Sequence, residues 1–240
     1  MTVCTQSISA EATDAELRAI SDVFALARPE EVLRWAMESF GPDVALATGF
    51  GAEGCVLVSM LASIDKHARI FYLDTDLLFP ETYALRDQLA ARYGVHFERR
   101  ANRLSLDEQA ALYGERLWER RPDQCCRLRK IEPLREMLSE LSAWITGIRR
   151  EQSETRTSAE IVERDAQFGL IKINPLASWS ARDLWHYIAE HDVPYNSLHD
   201  RGYGSIGCVP CTTPVQIGED PRAGRWRGST KTECGIHGRT

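Results

Sequence analysis

The sequence predicts an α/β fold: a parallel-rich, twisted sheet with helices on both faces. Two observations carry this. Short apolar runs (VALAT at 44–48, RIFYLD at 69–74, WITGI at 144–148) alternate with helical stretches, the pattern of a covered parallel sheet. A glycine-rich turn follows the first run and opens a helix, as strand-to-helix crossovers of such sheets do. A hydrophobic share of 43% and a charged share of 27% over 240 residues are those of a soluble protein with a proper core.

In chain order, residues 1–13 lack periodicity and are expected to be disordered or loosely attached. Asp14 is placed to cap a helix through Ala27, and Pro29 to open another that Gly41 stops. The strand Val44–Thr48, the turn Gly49–Gly54 and an apolar helix to about Ile64 follow, then the strand Arg69–Asp74. Pro80 opens a helix closed by Gly94, and VHFERR at 95–100 makes a third strand. Residues 105–141 read as helical, and Trp144–Ile148 as a buried strand. Ile161–Ile173 suits one or two edge strands. Ser180 and Asp183 have capping-box spacing, with Trp179 placed to staple onto Leu184. From His191 the chain is rich in turn residues, so a single domain over 1–240 with an irregular C-terminal extension is expected, its segment 221–240 a mobile tail.

Chemistry-bearing residues fall into four groups. Thr48-Gly49-Phe50-Gly51 precedes a helix whose N-terminal amides can hold a phosphate, without the lysine and hydroxyl of a Walker loop. The spacing Gly49-x-Gly51-x-x-Gly54, with Asp74 20 residues on, also matches a dinucleotide fingerprint. Leu73-Asp74-Thr75-Asp76 could read a ribose or amide. The loop from Gly147 to Arg156 offers a close backbone approach and three guanidinium groups, Arg149, Arg150 and Arg156.

Four of the seven cysteines form two tight pairs, Cys125-Cys126 and Cys208-x-x-Cys211. Together they suit a metal centre, a 4Fe–4S cluster first and zinc second, because adjacent ligands serve an extended cluster better than one small ion. Lys130, four residues after Cys126, would offset the negative charge of such a centre. Cys234 is the cysteine left over near the C-terminus, paired with nothing in sequence. Nearby Lys231 and His237 are cations that favour its reactive thiolate form, while Glu233 opposes them. The tail around it carries Arg222, Arg225, Arg227, Lys231 and Arg239, suggesting a local anion site. Cys4 and Cys55 are assigned no role.

The first residues have neither a basic head nor an apolar stretch, so a secretory signal is not expected. Unpaired cysteines then imply a reducing, cytoplasmic setting. No run reaches the roughly 18 apolar residues of a membrane span, and a net charge of −6 disfavours nucleic acid as partner.

On these residues, the chain resembles the assimilatory adenylyl-sulfate (APS) reductases, grouped with the phosphoadenylyl-sulfate (PAPS) reductases in the adenine-nucleotide α-hydrolase-like fold. The likeness runs from about Val44 to His237. It rests on Leu73-Asp74-Thr75 with Phe79-Pro80-Glu81-Thr82, Cys125-Cys126 with Arg129-Lys130, Ile145-Thr146-Gly147 with Arg149-Arg150, Cys208-x-x-Cys211, and Glu233-Cys234-Gly235-Ile236-His237. The resemblance implies one 4Fe–4S cluster per chain on Cys125, Cys126, Cys208 and Cys211, with Cys234 as nucleophile. It implies substrate contacts from Thr48, Gly51, Leu73, Thr75, Lys130, Gly147, Arg149, Arg150, Arg156, Arg222, Arg225 and His237. Gly49 and Phe50 replace the usual serine-rich sequence, Gly54 stands where Asp is common and Asp76 where Gly is common.

The implied reaction is attack of the Cys234 thiolate on the sulfur of APS, giving an S-sulfonated cysteine and AMP. An external dithiol, thioredoxin or glutaredoxin, then releases sulfite. The cluster is expected to act structurally and electrostatically through Lys130. Alternatives are a PAPS reductase, an ATP-dependent tRNA thiolase and a non-enzymatic iron–sulfur or zinc sensor; a homo-oligomer is also compatible with the sequence.

Overall fold

The strands of the computed structural model are β1 (Val44–Thr48), β2 (Arg69–Asp74), β3 (Phe97–Ala101), β4 (Ala143–Ile145), β5 (Val162–Arg164) and β6 (Ile171–Ile173). Residues 8–237 are described; Cys4 and Arg239 lie outside them. The sheet order is β3-β2-β1-β4-β6-β5. All neighbours are parallel except the edge strand β5, antiparallel to β6. From β1 the chain builds outward through β2 and β3 on one side, with β4 on the other. The crevice beyond the carboxyl ends of β1 and β4 is therefore a topological switch point. The predicted α/β sheet is thus present, with two boundary changes. β3 begins at Phe97 rather than Val95, and β4 stops at Ile145, after which the backbone turns through Gly147 past the neighbouring helix.

The helices are α1 (Asp14–Val23), α2 (Pro29–Phe40), α3 (Ala52–Ile64), α4 (Pro80–Tyr93), α5 (Leu106–Tyr113), α6 (Leu117–Arg120), α7 (Pro122–Cys126), α8 (Glu132–Leu138) and α9 (Ala181–Glu190). Thr13, not Asp14, caps α1: its hydroxyl accepts from Glu16 N, and Glu16 returns a bond to Thr13 N. The α-helix ends at Val23, and a 3₁₀ turn covers Phe24–Leu26. Pro29 and Ser180–Asp183 open their helices as expected, while the ring of Trp179 lies against Tyr187. Within the stretch expected to be loose, Ala12 is buried and Ile8 packs on the core.

The stretch 105–141 is helical as expected, but in several pieces. Gly114 and Arg116 have positive φ (83° and 51°), conformations that end a helix. Pro122 restarts it, and residues Arg127–Ile131 form a π-turn before α8.

The core lies on both faces of the sheet. One cluster joins α1, α2, α3, α4 and α9 to residues such as Leu46, Ile70 and Ile145. The other packs Leu134, Met137 and Leu138 of α8 on Ala45, Phe71 and Trp144. Alternating strand residues feed the two clusters, as a period of two requires. Among the described residues no helix is long and apolar enough to cross a membrane. The C-terminal extension is stitched on by backbone bonds: Val209 N donates to Leu77 O at 2.8 Å, and Trp226 N to Cys211 O at 3.1 Å.

Candidate active site

A cavity of about 770 Å³ occupies the switch point, within the size range of small-molecule sites. Three of its walls are the loops after β1, β2 and β4, and the tail closes it. Of the residues expected to bind substrate, Thr48, Gly51, Leu73, Thr75, Lys130, Gly147, Arg149, Arg150, Arg156, Arg222, Arg225 and His237 all line it, together with Cys234. Residues from position 48 to position 237 converge because parallel strands deliver all their outgoing loops to one edge.

The first loop is compact for a stated steric reason. Thr48 Oγ1 accepts from Phe50 N at 3.0 Å, and a Cβ on Gly54 would stand 2.5 Å from that same oxygen. Glycine at 54 is thereby tied to threonine at 48. Phe50 has φ 56° and is buried against Tyr72 and Phe97, so it serves the core rather than the cavity. Gly147 does make a close approach, to Glu53 and Gly54 of α3: an added Cβ would lie 3.0 Å from Glu53 Cβ.

Asp74 is not presented for a ribose. Tyr83 donates to its Oδ1 at 2.7 Å and Arg99 Nε to its Oδ2 at 2.6 Å. Burial raises its pKa, yet these donors outweigh burial and hold the carboxyl below its ordinary value. The spacing that matched a dinucleotide fingerprint therefore ends on an occupied carboxylate. Asp76 also turns away from the cavity, pairing with Arg99 Nη2 at 2.8 Å and Arg129 Nη1 at 2.7 Å. It does so at φ 55°, a left-handed conformation that suits glycine better. Arg129 is consequently a buried structural cation, with Gln109 and Leu104 O as further partners.

The arginines are not equivalent. Arg149 is buried and committed to Glu53 at 2.9 Å and Glu151 at 3.3 Å. It lines the cavity as a cation whose direction these two carboxylates fix. Arg150 donates to Ala159 O and pairs with Glu160. Arg156 and Arg222 share Glu233, and Arg225 donates to Ser205 Oγ at 3.4 Å while stacking on Trp226 at 4.5 Å. Gln152, which the sequence did not single out, orders this loop: its Oε1 accepts from Arg149 N and Arg156 Nη1, and its Nε2 donates to Gly147 O.

Cys234 opens on the cavity, but its cations are not those expected. Lys231 pairs with Asp123 and sits over Trp226. His237 is stacked on Trp144 at 5.6 Å, and burial with nearby Lys172, Arg156 and Arg222 holds it well below the usual histidine range, hence neutral. Burial raises the Cys234 thiol; Lys130, a backbone hydrogen bond at Ile236 and Arg225 overcome it against Glu233, leaving the pKa below its ordinary value. Lys130 itself is disfavoured as a cation by burial, but Cys208, Cys234 and Cys126 hold it protonated. It lines both the large cavity and a small one formed by the cysteine pairs.

That small cavity collects Cys125, Cys126, Cys208 and Cys211, with Thr75, Arg129 and Trp118. Thr75 Oγ1 lies 3.3 Å from Cys208 Sγ, tying the loop after β2 to the cysteine pairs. Burial and the neighbouring thiols push Cys125 up to about 12, and burial with Cys208 pushes Cys211 up to about 11. Thiols this basic become ligands only for a group whose positive charge displaces their protons. Among the described residues no three His, Cys, Asp or Glu side chains gather as a site for a single metal ion. A tetrahedral zinc site would draw its sulfurs to about 2.3 Å from one centre. The donor set, four cysteine sulfurs lining one small cavity, is of the type that thiolate-bound metal centres use, iron–sulfur or zinc.

Residues 43–214 match the family model described as the phosphoadenosine phosphosulfate reductase domain. The chain is 50% identical over 226 residues to an adenosine 5′-phosphosulfate reductase of Salinibacter ruber, covering 94% of this chain and 90% of the relative. It is 48% identical over 212 residues to a phosphoadenosine 5′-phosphosulfate reductase of Gloeobacter violaceus, covering 87% and 88%. A crystal structure of the Candida auris phosphoadenylyl-sulfate reductase, a phosphate complex, superposes with a TM-score of 0.75 at 34% identity, covering 87% of this chain and all of that one.

Proposed function

As the chain belongs to the phosphoadenosine phosphosulfate reductase domain family, we propose that it reduces adenosine 5′-phosphosulfate to sulfite and AMP, as an oxidoreductase acting on sulfur. The observation that carries the mechanism is the placement of Cys234, a thiol held acidic by Lys130 and Arg225, in the same cavity as the α3 N-terminal loop and the arginines.

The backbone of Gly49 to Gly51 and the start of α3 face the 5′-phosphate, while Leu73 and Thr75 flank the adenosine. The Cys234 thiolate attacks the sulfur of the phosphosulfate. A sulfur–sulfur bond forms, the sulfur–oxygen bond to phosphate breaks, and AMP leaves with that electron pair. Lys130, Arg222 and Arg225 counter charge as it moves onto the leaving phosphate. An external dithiol, thioredoxin or glutaredoxin, supplies the two electrons: one thiolate attacks Cys234 Sγ and expels sulfite, and its partner thiol resolves the mixed disulfide. Cys234 is suited to this hand-over, since the other described cysteines belong to the four-sulfur set or, for Cys55, to the core. This chemistry needs a reducing compartment, the cytoplasm.

Cys125, Cys126, Cys208 and Cys211 would hold one 4Fe–4S cluster, which would supply negative charge beside Lys130 and would tie the 208–211 segment to the Cys125-Cys126 pair. Anaerobic purification should yield about four irons per chain; a colourless, zinc-containing protein would dismiss the cluster.

The decisive experiment weighs intact protein after incubation with APS and no reductant. An SO₃ adduct that disappears in Cys234→Ser is expected; an adduct that persists removes Cys234 as nucleophile. Sulfite release with thioredoxin, APS against PAPS, then decides the substrate, a choice made pointed by the Gloeobacter relative.

A further inference from the structure

Arg156 and Arg222 both line the cavity, and Glu233 touches both without lining it. Its carboxylate lies 2.9 Å from Arg222 Nη2 and 3.3 Å from Arg156 Nη2, with all three side chains less than one-fifth exposed. The arginines arrive from distant parts of the chain. Arg156 stands on the loop after β4, where Gln152 supplies its other side-chain partner. The partners of the Arg222 guanidinium are Thr232 O at 3.0 Å and Glu233, both on the segment that carries Cys234. Arg156 Nε is buried with no hydrogen-bond partner among the described residues, so the pairing of its Nη atoms with Gln152 and Glu233 carries the placement of the guanidinium.

We propose that Glu233 is a positioning residue that completes the anion grip of Arg156 and Arg222 only when the Cys234 segment is docked. The nucleophile and the grip therefore assemble together. One carboxylate between two guanidinium groups leaves a net positive charge toward the cavity while fixing where both point, which is what a bidentate hold on a sulfate or phosphate needs. When the segment lifts so that an external thiol can reach S-sulfonated Cys234, Arg222 loses both of its partners and Arg156 loses one. The hold on AMP then loosens in the same movement. By linkage, an anion bound to the pair must in turn favour the docked segment. The inference rests on the proposed reading of the cavity as a phosphosulfate site, and deepens it by making that site conditional on the tail.

The test uses full-length protein on a Cys234→Ser background, which removes turnover, and titrates APS, inorganic sulfate and adenosine into the parent, Glu233→Ala and Glu233→Gln. Loss of the carboxylate should weaken APS and sulfate by about tenfold, within the usual range of coupling between sites, and leave adenosine within about twofold. Glu233→Gln, which keeps an acceptor oxygen, should fall between. With Cys234 present, Glu233→Ala should raise KM for S-sulfonate formation by the same factor and also lower the saturated rate, because a misdirected Arg222 no longer counters the leaving phosphate, and Glu233→Gln should recover part of both losses. Unchanged or tighter sulfate binding in Glu233→Ala would overturn the proposal, because Glu233 would then be idle or a competing counterion. Equal weakening of adenosine would also overturn it, as general loss of the tail. If the parent binds sulfate with the expected pattern but not APS, the substrate assignment falls and the grip stands. If the parent binds no sulfate, the grip itself falls.

Discussion

Replacing Lys130 by Gln removes the cation that faces both Cys234 and the cysteine pairs while nearly preserving side-chain length. Among the influences that hold the Cys234 thiol acidic, Lys130 comes first, ahead of the hydrogen bond at Ile236 and of Arg225. Two unit charges about 5 Å apart at an effective dielectric of about 20 interact by about 3 kcal/mol. The cavity opens to solvent on one side, and half of that figure is about tenfold in thiolate population. A more basic thiolate is also a better nucleophile, with a Brønsted exponent of about 0.4–0.5, which returns roughly threefold. Alkylation of Cys234 by iodoacetamide at neutral pH should therefore slow by only about threefold, with its pH profile moved to higher pH. S-sulfonation by APS should slow far more, by about 10²–10³, because the same charge also stabilises the departing phosphate. Raising the pH should recover the first loss and not the second. Stopped-flow alkylation and single-turnover mass spectrometry read the two rates. An alkylation profile that overlays the parent's would refute the role of Lys130 at the thiol. Equal losses in both reactions would refute its role at the substrate.

Two further perturbations probe the frame of the site. Gly54→Ala sets a methyl group 2.5 Å from Thr48 Oγ1; it should lower stability by about 1–3 kcal/mol in denaturant unfolding and weaken AMP binding, whereas Gly49→Ala, where the space is open, should lose much less stability. His237 is a half-buried, neutral ring stacked on Trp144, with a depressed pKa. Its contribution to docking of the tail is thus complete above the unfolded histidine pKa of about 6.5 and is lost as the pH falls below that toward the folded value. Hydrogen exchange at residues 229–237 should quicken as the pH drops from about 7 to 5, after correction for intrinsic rates, and His237→Asn should remove that dependence.

The alternation of strands and helices, the capping at Ser180 and Asp183, and the glycine closing α4 are legible in the sequence because each is a local pattern of period or turn chemistry. The helical reading of 105–141 holds, while its division at Gly114, Pro122 and the π-turn is not given by the hydrophobic periodicity, which persists through all three. The break is visible only in the backbone. That break matters to the site: from adjacent positions it sends Arg129 into the Asp76 pair and leaves Lys130 between the cysteine pairs and Cys234.

The sequence by itself determined which residues could do chemistry: a tail cysteine, two cysteine pairs, a glycine turn before a helix and a cluster of arginines. Only the tertiary structure decided which charges meet. It replaced Lys231 and His237 by Lys130 and Arg225 at Cys234, paired Arg149 with Glu53, and turned Asp74 and Asp76 toward arginines rather than toward the cavity. The reason is physical. Side-chain identity and local turn chemistry are encoded within a few residues, whereas a charge interaction depends on distance and burial, and these are set where segments far apart in the chain pack together.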